Sequence, residues 1–156
     1  IDRDSAGVRF PPPLAFLGKL VLGWALGRVI GQPGIPLHGW HLGRNLGWFA
    51  SVAGFAIMLT AVGLFRKAGT ETKPWKTAQA LVTDGVYRWT RNPMYLGMAL
   101  IYAGIALILD SLVALLLLIP LIYIIQREVI DREERYMEAK FGDAYRDYKA
   151  RVRRWI

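Results

Sequence analysis

The sequence predicts an all-α integral membrane protein: four transmembrane helices, the last two a short hairpin, followed by cytoplasmic C-terminal helices. Three observations predict it. Apolar residues make up 54% of the 156-residue chain although 21% are charged, and the mean hydropathy is +0.27. An ordinary soluble domain does not combine those values unless charge and apolarity are segregated, and here they are. Within 14–30, 46–65 and 95–125 the only charged residues are Lys19, Arg28 and Asp110. The third observation is the net charge of +8, carried by alternate connections between apolar runs, as the positive-inside rule expects. A soluble nucleic-acid binder would not interleave its basic residues with bilayer-length apolar runs, so no nucleic-acid partner is expected.

The opening stretch, "IDRDSAGVRFPPP", is polar and mixed in charge, and predicts no cleavable signal peptide. The first two apolar segments, 14–31 and 45–65, approach the ~20 residues needed to cross a bilayer. Gly23 and Gly27 in the first form a GxxxG, which predicts close helix packing. The connection 32–43 holds no Lys or Arg and is placed outside. Its His38 and His41 are too few ligands for a metal site without a nearby carboxylate or Cys. The chain contains no Cys, which removes disulfides and thiol nucleophiles. Apolar segments 94–109 and 112–126 are separated by Asp110-Ser111. One helix over 94–126 would be about 50 Å long, too long for a ~30 Å hydrocarbon core. A hairpin fits better, with Ser111 as N-cap, and Pro120 is expected to kink the fourth helix. Loop 66–92 carries six basic and two acidic residues, and tail 127–156 nine and seven. Four crossings put both regions on the side of the termini, which the charge bias makes cytoplasmic. The tail reads as a helix over 127–140 stopped by Gly142, then a short helix over 143–151. The whole chain, 1–156, reads as a single membrane domain: 14–65 forms its first two transmembrane helices and 80–156 its loop, hairpin and tail.

Two constellations carry chemistry. The segment "DGVYRWTRNPMYLG", residues 84–97, combines backbone freedom at Gly85, a rigid turn at Pro93 and the donors Arg88, Arg91 and Asn92. It adds the aromatics Tyr87, Trp89 and Tyr95. Such a segment is either a juxtamembrane aromatic and basic anchor or a cradle for a charged cofactor at the membrane surface. The tail holds Arg127, Glu128, Asp131, Arg132, Glu133, Glu134 and Arg135. Pairs such as Glu128–Arg132 and Asp131–Arg135 suit a solvated helix laced with ion pairs. Alternatively, one face of that helix turns its carboxylates and arginines toward the membrane mouth, where ionisable residues are functional candidates.

The segment "GVYRWTRNPMYLG", followed after a hairpin by "EERYMEAKFGDAYRDYKARVRRWI", resembles the isoprenylcysteine carboxyl methyltransferase family and its phospholipid methyltransferase relatives, in a prokaryotic-type form. The matching positions are Gly85, Tyr87, Arg88, Arg91, Asn92, Pro93, Tyr95 and Gly97, then Glu133, Glu134, Met137, Phe141, Gly142, Tyr145 and Tyr148. The chain departs from the pattern at Asn92, where the family carries His, and at Val129, where the eukaryotic prenylcysteine enzymes carry Arg; Arg127 or Arg132 is the substitute. The resemblance implies S-adenosyl-L-methionine as methyl donor, bound by the last hairpin and tail. It implies Arg91, Tyr95, Glu134 and Arg127 as catalytic residues. Arg91 would pair with the donor's carboxylate, and Glu134, or Glu128 or Glu133, would hold its ammonium. Tyr87 or Tyr95 would face the sulfonium, and the backbone of Leu81 and Val82 would meet the adenine. Gly85, Asn92 and Pro93 would shape the cradle. The acceptor would be a lipophilic or amphiphilic molecule, a prenylcysteine-like carboxylate or a lipid headgroup, methylated at the cytoplasmic face of a bacterial inner membrane. The competing readings are a sterol-type reductase using NADPH and a non-enzymatic membrane scaffold.

Overall fold

The computed structural model describes residues 12–31, 34–35, 40–67 and 81–156, apart from the side chains of 40 and 65. Among the described residues every regular element is helical. The elements are α1 (Pro12–Val29), α2 (Trp40–Lys67), a 3₁₀ turn (Gly85–Arg88), α3 (Pro93–Ile108), α4 (Leu112–Ile125), a π-turn (Gln126–Ile130), α5 (Asp131–Phe141) and α6 (Asp143–Arg151). His38, the first eleven residues and the basic residues Lys73 and Lys76 of the central loop lie outside the described residues.

The expected hairpin is present. Asp110 turns the chain at φ +52°, and Ser111 caps α4 by accepting a hydrogen bond from the Ala114 amide at 3.3 Å. The Asp110 carboxylate also accepts from the Ile35 amide at 3.0 Å, which ties the first connection to the hairpin tip. Pro93 stands at the start of α3, where its missing N–H costs nothing. The chain continues helical across Pro120.

Packing follows two seams of small residues. α1 lies antiparallel on α4: a Cβ on Gly23 would stand 2.5 Å from the Ala114 Cα, and one on Gly27 3.4 Å from the Ser111 Oγ. The GxxxG of α1 is therefore a packing motif, as expected. α2 lies antiparallel on α3 through Gly47 against Gly104 and Gly54 against Gly97. Hypothetical Cβ atoms at Gly47 and Gly54 would sit 2.5 Å from the facing carbonyl oxygens. Both pairs are spaced by seven residues, so each repeats on one helix face. Side chains are absent where the backbones touch.

The tail departs from the expected break after residue 126. α4, the π-turn and α5 form one unbroken helical stretch, 112–141. No Gly or Pro lies between 121 and 141, and a change from apolar to charged composition does not stop a helix. The π-turn adds a residue to one turn and shifts the helical phase. Val129 and Ile130 are both fully buried as a result, and Glu134 faces inward at 7% exposure. Gly142, at φ +60°, ends α5.

Two stretches, 41–64 and 112–141, are long and apolar enough to cross a membrane, and α3 is apolar but shorter. In 112–141 the continuous apolar run ends at Ile125, and seven of the eleven residues from 131 to 141 are charged. Large apolar side chains point outward from α2 (Trp48, Phe49, Val52, Phe55, Leu59) and α4 (Leu116, Ile119, Tyr123). That surface suits hydrocarbon better than water.

Candidate functional site

The site begins where the chain arrives at α3. Gly85 has φ +58°, and a Cβ there would come within 2.9 Å of Leu64 on α2. Both the conformation and the space call for glycine. The 3₁₀ turn that follows buries Tyr87 in an apolar cluster with Ala61, Val82, Tyr145, Tyr148 and Val152, flanked by Leu81. The Tyr148 hydroxyl donates to the Tyr87 carbonyl at 2.7 Å. Burial pushes the Tyr145 hydroxyl up to about 12 and raises those of Tyr87 and Tyr148 as well. These phenols stay neutral at physiological pH and serve as donors and aromatic faces. Arg88 and Trp89 are exposed, Trp89 at 78%, so they behave as the anchor the segment also suggested.

The C-terminal residues 152–155 fold back as a strap across this loop. The Arg91 amide donates to the Arg153 carbonyl at 2.9 Å. The Arg154 carbonyl accepts from Thr90 Oγ1 at 3.2 Å and Asn92 Nδ2 at 2.9 Å. The Asn92 amide donates to Thr90 Oγ1 at 3.1 Å. Trp155 Nε1 donates to Gln126 Oε1 at 3.1 Å, so the strap's end is fixed to the first residue of the π-turn.

Loop, tail helix and strap converge on one carboxylate. Glu134 accepts from Arg91 Nη1 at 2.8 Å, from Arg154 Nε at 3.0 Å and from Arg154 Nη2 at 2.7 Å. Arg154 Nη2 also reaches Asp131 at 3.1 Å. The Arg91 and Glu134 side chains are 10% and 9% exposed. Among the described residues the buried Arg91 Nε has no partner. One turn away, the Tyr95 hydroxyl donates to Glu133. Burial pushes the Glu133 carboxyl up to about 8; the Tyr95 hydrogen bond opposes that rise and neighbouring Glu134 adds to it. The two neighbouring carboxylates thus differ in partners: Glu133 accepts from a phenol and Glu134 from two guanidinium groups. A carboxylate, two guanidinium groups and a spare buried N–H can together receive a ligand bearing both a carboxylate and an ammonium.

Of the expected site residues, Arg91, Asn92, Pro93, Tyr95, Glu133 and Glu134 meet here, with Gly85 and Tyr87 beneath and Leu81 and Val82 at the edge. Arg127 and Glu128 do not join them. Arg127 is exposed and lies over the Tyr123 ring at 6.0 Å, and Glu128 pairs with Arg132 at 3.5 Å on the outer face. The π-turn explains this, because its shifted phase gives the inner face to 129, 130 and 134. Asp131 bonds Arg154 instead of serving only as an i,i+4 partner. Sequence reasoning missed Arg154 as a site residue. Its one signal was the cluster of basic residues in "RVRRWI", which resembles any solvated tail.

Residues 42–144 match the model of a family described as phospholipid methyltransferase. A stretch of 72 residues is 35% identical to a protein-S-isoprenylcysteine O-methyltransferase of Schizosaccharomyces pombe, covering 46% of this chain and 30% of that protein. Over 129 residues the chain is 26% identical to protein-S-isoprenylcysteine O-methyltransferase B of Arabidopsis thaliana, covering 81% of this chain and 64% of the plant protein. An uncharacterized Haemophilus influenzae protein matches along its whole length, 48% identical over 63 residues or 40% of this chain. The chain thus spans less than two thirds of either named methyltransferase.

Proposed function

The chain belongs to the phospholipid methyltransferase family, and from that premise we propose that it transfers a methyl group from S-adenosyl-L-methionine to a lipophilic or amphiphilic acceptor at the cytoplasmic membrane interface. The observation that carries this reading is the meeting of Arg91 and Glu134. They lie 43 positions apart, on either side of the hairpin, and bond at 2.8 Å in a buried place. A surface anchor or a solvated ion-pair helix does not need that convergence. The relatives named as isoprenylcysteine O-methyltransferases support a lipid-like acceptor, either a prenylcysteine-type carboxylate or a lipid headgroup.

The residues fit the donor. Bound, it supplies an electrophilic methyl group on a sulfonium. Arg91, with its unpartnered Nε, holds the donor's carboxylate, and Glu134 holds the ammonium, since Glu133 is engaged by the Tyr95 hydroxyl. Tyr95, and Tyr87 below it, offer aromatic faces to the sulfonium. Leu81 and Val82 offer backbone groups to the adenine. Gly85, Asn92 and Pro93 set the loop's shape. Arg127 and Glu128 lie at the rim, at the level of lipid headgroups. Orientation and exclusion of water then supply most of the acceleration. In the same reading α1–α4 cross a bacterial inner membrane four times with both termini cytoplasmic, and the site lies at the inner surface. A reporter fused after Ile156 should behave as cytoplasmic, and a tag at Gly34 should react from outside.

Isothermal titration of the detergent-purified protein with S-adenosylhomocysteine and with NADPH tests the reading. S-adenosylhomocysteine should bind and NADPH should not. Arg91→Ala and Glu134→Gln should each weaken that binding by about 1.5–3 kcal/mol, the scale of one charge-assisted hydrogen bond. Parent-like binding by both variants would return the loop and tail to the anchor and ion-pair readings.

A further inference from the structure

We propose that Arg154, presented by the C-terminal strap, is the second arginine of a clamp for the methyl donor's amino-acid group, with Glu134 as the clamp's occupant while no donor is bound. The inference rests on the donor reading above and adds to it a residue and a segment. The geometry behind it is the shared carboxylate. Arg91 and Arg154 reach Glu134 from opposite sides of it in the sequence, 43 and 20 positions away, at 2.8 Å and at 3.0 and 2.7 Å. Two guanidinium groups converging on one carboxylate form a fork that fits any carboxylate of the same size. The buried Arg91 Nε without a partner shows that Glu134 alone does not use all of the fork's donors.

Charge alternation says how a zwitterion would enter. The resting cluster is two positive groups around Glu134, with Asp131 holding the outer edge of Arg154 at 3.1 Å. An incoming carboxylate bridges Arg91 and Arg154, and the accompanying ammonium takes a Glu134 oxygen. Every positive group then faces a negative one, and no buried charge loses its partner, which would be costly. An ammonium arriving without a carboxylate would add a third positive charge around Glu134, so the clamp selects a complete α-amino acid group.

The strap is also held by bonds that do not use the Arg154 side chain. Its docking bonds use the main-chain carbonyls of Arg153 and Arg154 and the Trp155 ring. Changing the Arg154 side chain therefore leaves these bonds in place.

Titrations of S-adenosylhomocysteine and of 5′-methylthioadenosine, which shares the nucleoside but lacks the amino-acid group, test the inference on the full chain. Arg154→Gln should weaken S-adenosylhomocysteine roughly 10- to 100-fold, the range of one charge-assisted bond. It should leave 5′-methylthioadenosine within about twofold of the parent, well under one such bond. Arg154→Lys, which keeps the charge and loses the fork, should fall between parent and Arg154→Gln. Equal weakening of both ligands would overturn the inference in favour of a structural role, and so would no weakening of either. A parent that binds neither ligand would overturn the donor reading itself, and this inference with it.

Discussion

The α2–α3 seam and the loop–strap junction hold the molecule together by opposite means. In the seam the backbones meet directly, Gly47 on Gly104 and Gly54 on Gly97. At the junction almost every contact is a directed polar bond: amide to carbonyl, amide side chain to carbonyl, guanidinium to carboxylate. The first contact depends on shape and has no tolerance for added atoms. The second depends on partners, and it can exchange one partner for another. A rigid apolar frame next to a polar clasp suits the proposed role of holding and releasing a charged ligand.

The largest effect should come from filling the seam. A Cβ at Gly104 would lie 2.3 Å from Ser51 Oγ and 2.5 Å from the Gly47 carbonyl. Backbone cannot yield as a flexible side chain does, so Gly104→Val should cost about 3 kcal/mol or more. Thermal unfolding in detergent should show it as loss of the folded monodisperse species. Gly18 provides the control, since a Cβ there meets nothing within 4 Å among the described residues. Gly18→Val should unfold like the parent. Equal behaviour of the two variants would mean that the seam does not govern stability.

Breaking the clasp at its centre should cost less than filling the seam but remain measurable. Glu134→Ala leaves the buried Arg91 without its carboxylate, while Arg154 retains Asp131. Orphaning one member of a buried pair costs about 3–5 kcal/mol. The lower end applies here, because Arg154 keeps a carboxylate partner and only Arg91 is orphaned. Arg91→Met in the same background should recover part of the loss by removing the orphaned charge. No recovery would show that the two residues are not energetically coupled.

The two regions also differ in how far the sequence reveals them. Apolar run lengths locate α1 to α4 to within a few residues, because hydrocarbon thickness constrains length. The Asp110-Ser111 break is legible because a polar pair interrupts a run otherwise too long for a bilayer. The glycine seam is not: two glycines seven apart in each of two helices have no mark of their own until the helices are paired. The π-turn is equally hidden, since nothing in "QREVI" distinguishes it from an α-helical turn, and it decides that Glu134 and not Glu128 faces inward. Arg91 and Glu134 are legible as residue types through the family likeness. Arg154 is not, because its partners lie 20 and 23 positions away across a helix reversal.

The smallest expected effect belongs to Asn92, and it sharpens the contrast at a single hydrogen bond. The pattern that the chain resembles has His here, and a His could titrate, whereas Asn cannot. In the structure Asn92 acts as a positioning residue. Its Nδ2 donates to the Arg154 carbonyl at 2.9 Å, and its amide donates to Thr90 Oγ1 at 3.1 Å. Its side chain does not cap α3, so it fixes the strap to the loop and leaves the helix end to Pro93. Asn92→Leu removes one donor from a carbonyl that keeps Thr90 as partner, and it should cost about 1 kcal/mol of stability. S-adenosylhomocysteine binding should weaken by a similar amount as the strap loosens. Asn92→His supplies a ring N–H toward the same carbonyl and should recover most of both losses. With Asn in place, the activity profile should show no limb traceable to residue 92 near ~6.5, where an unperturbed imidazole titrates. If Asn92→Leu matches the parent in both unfolding and binding, the strap is held by the Arg91–Arg153 and Thr90–Arg154 bonds alone, and Asn92 contributes nothing to the clasp.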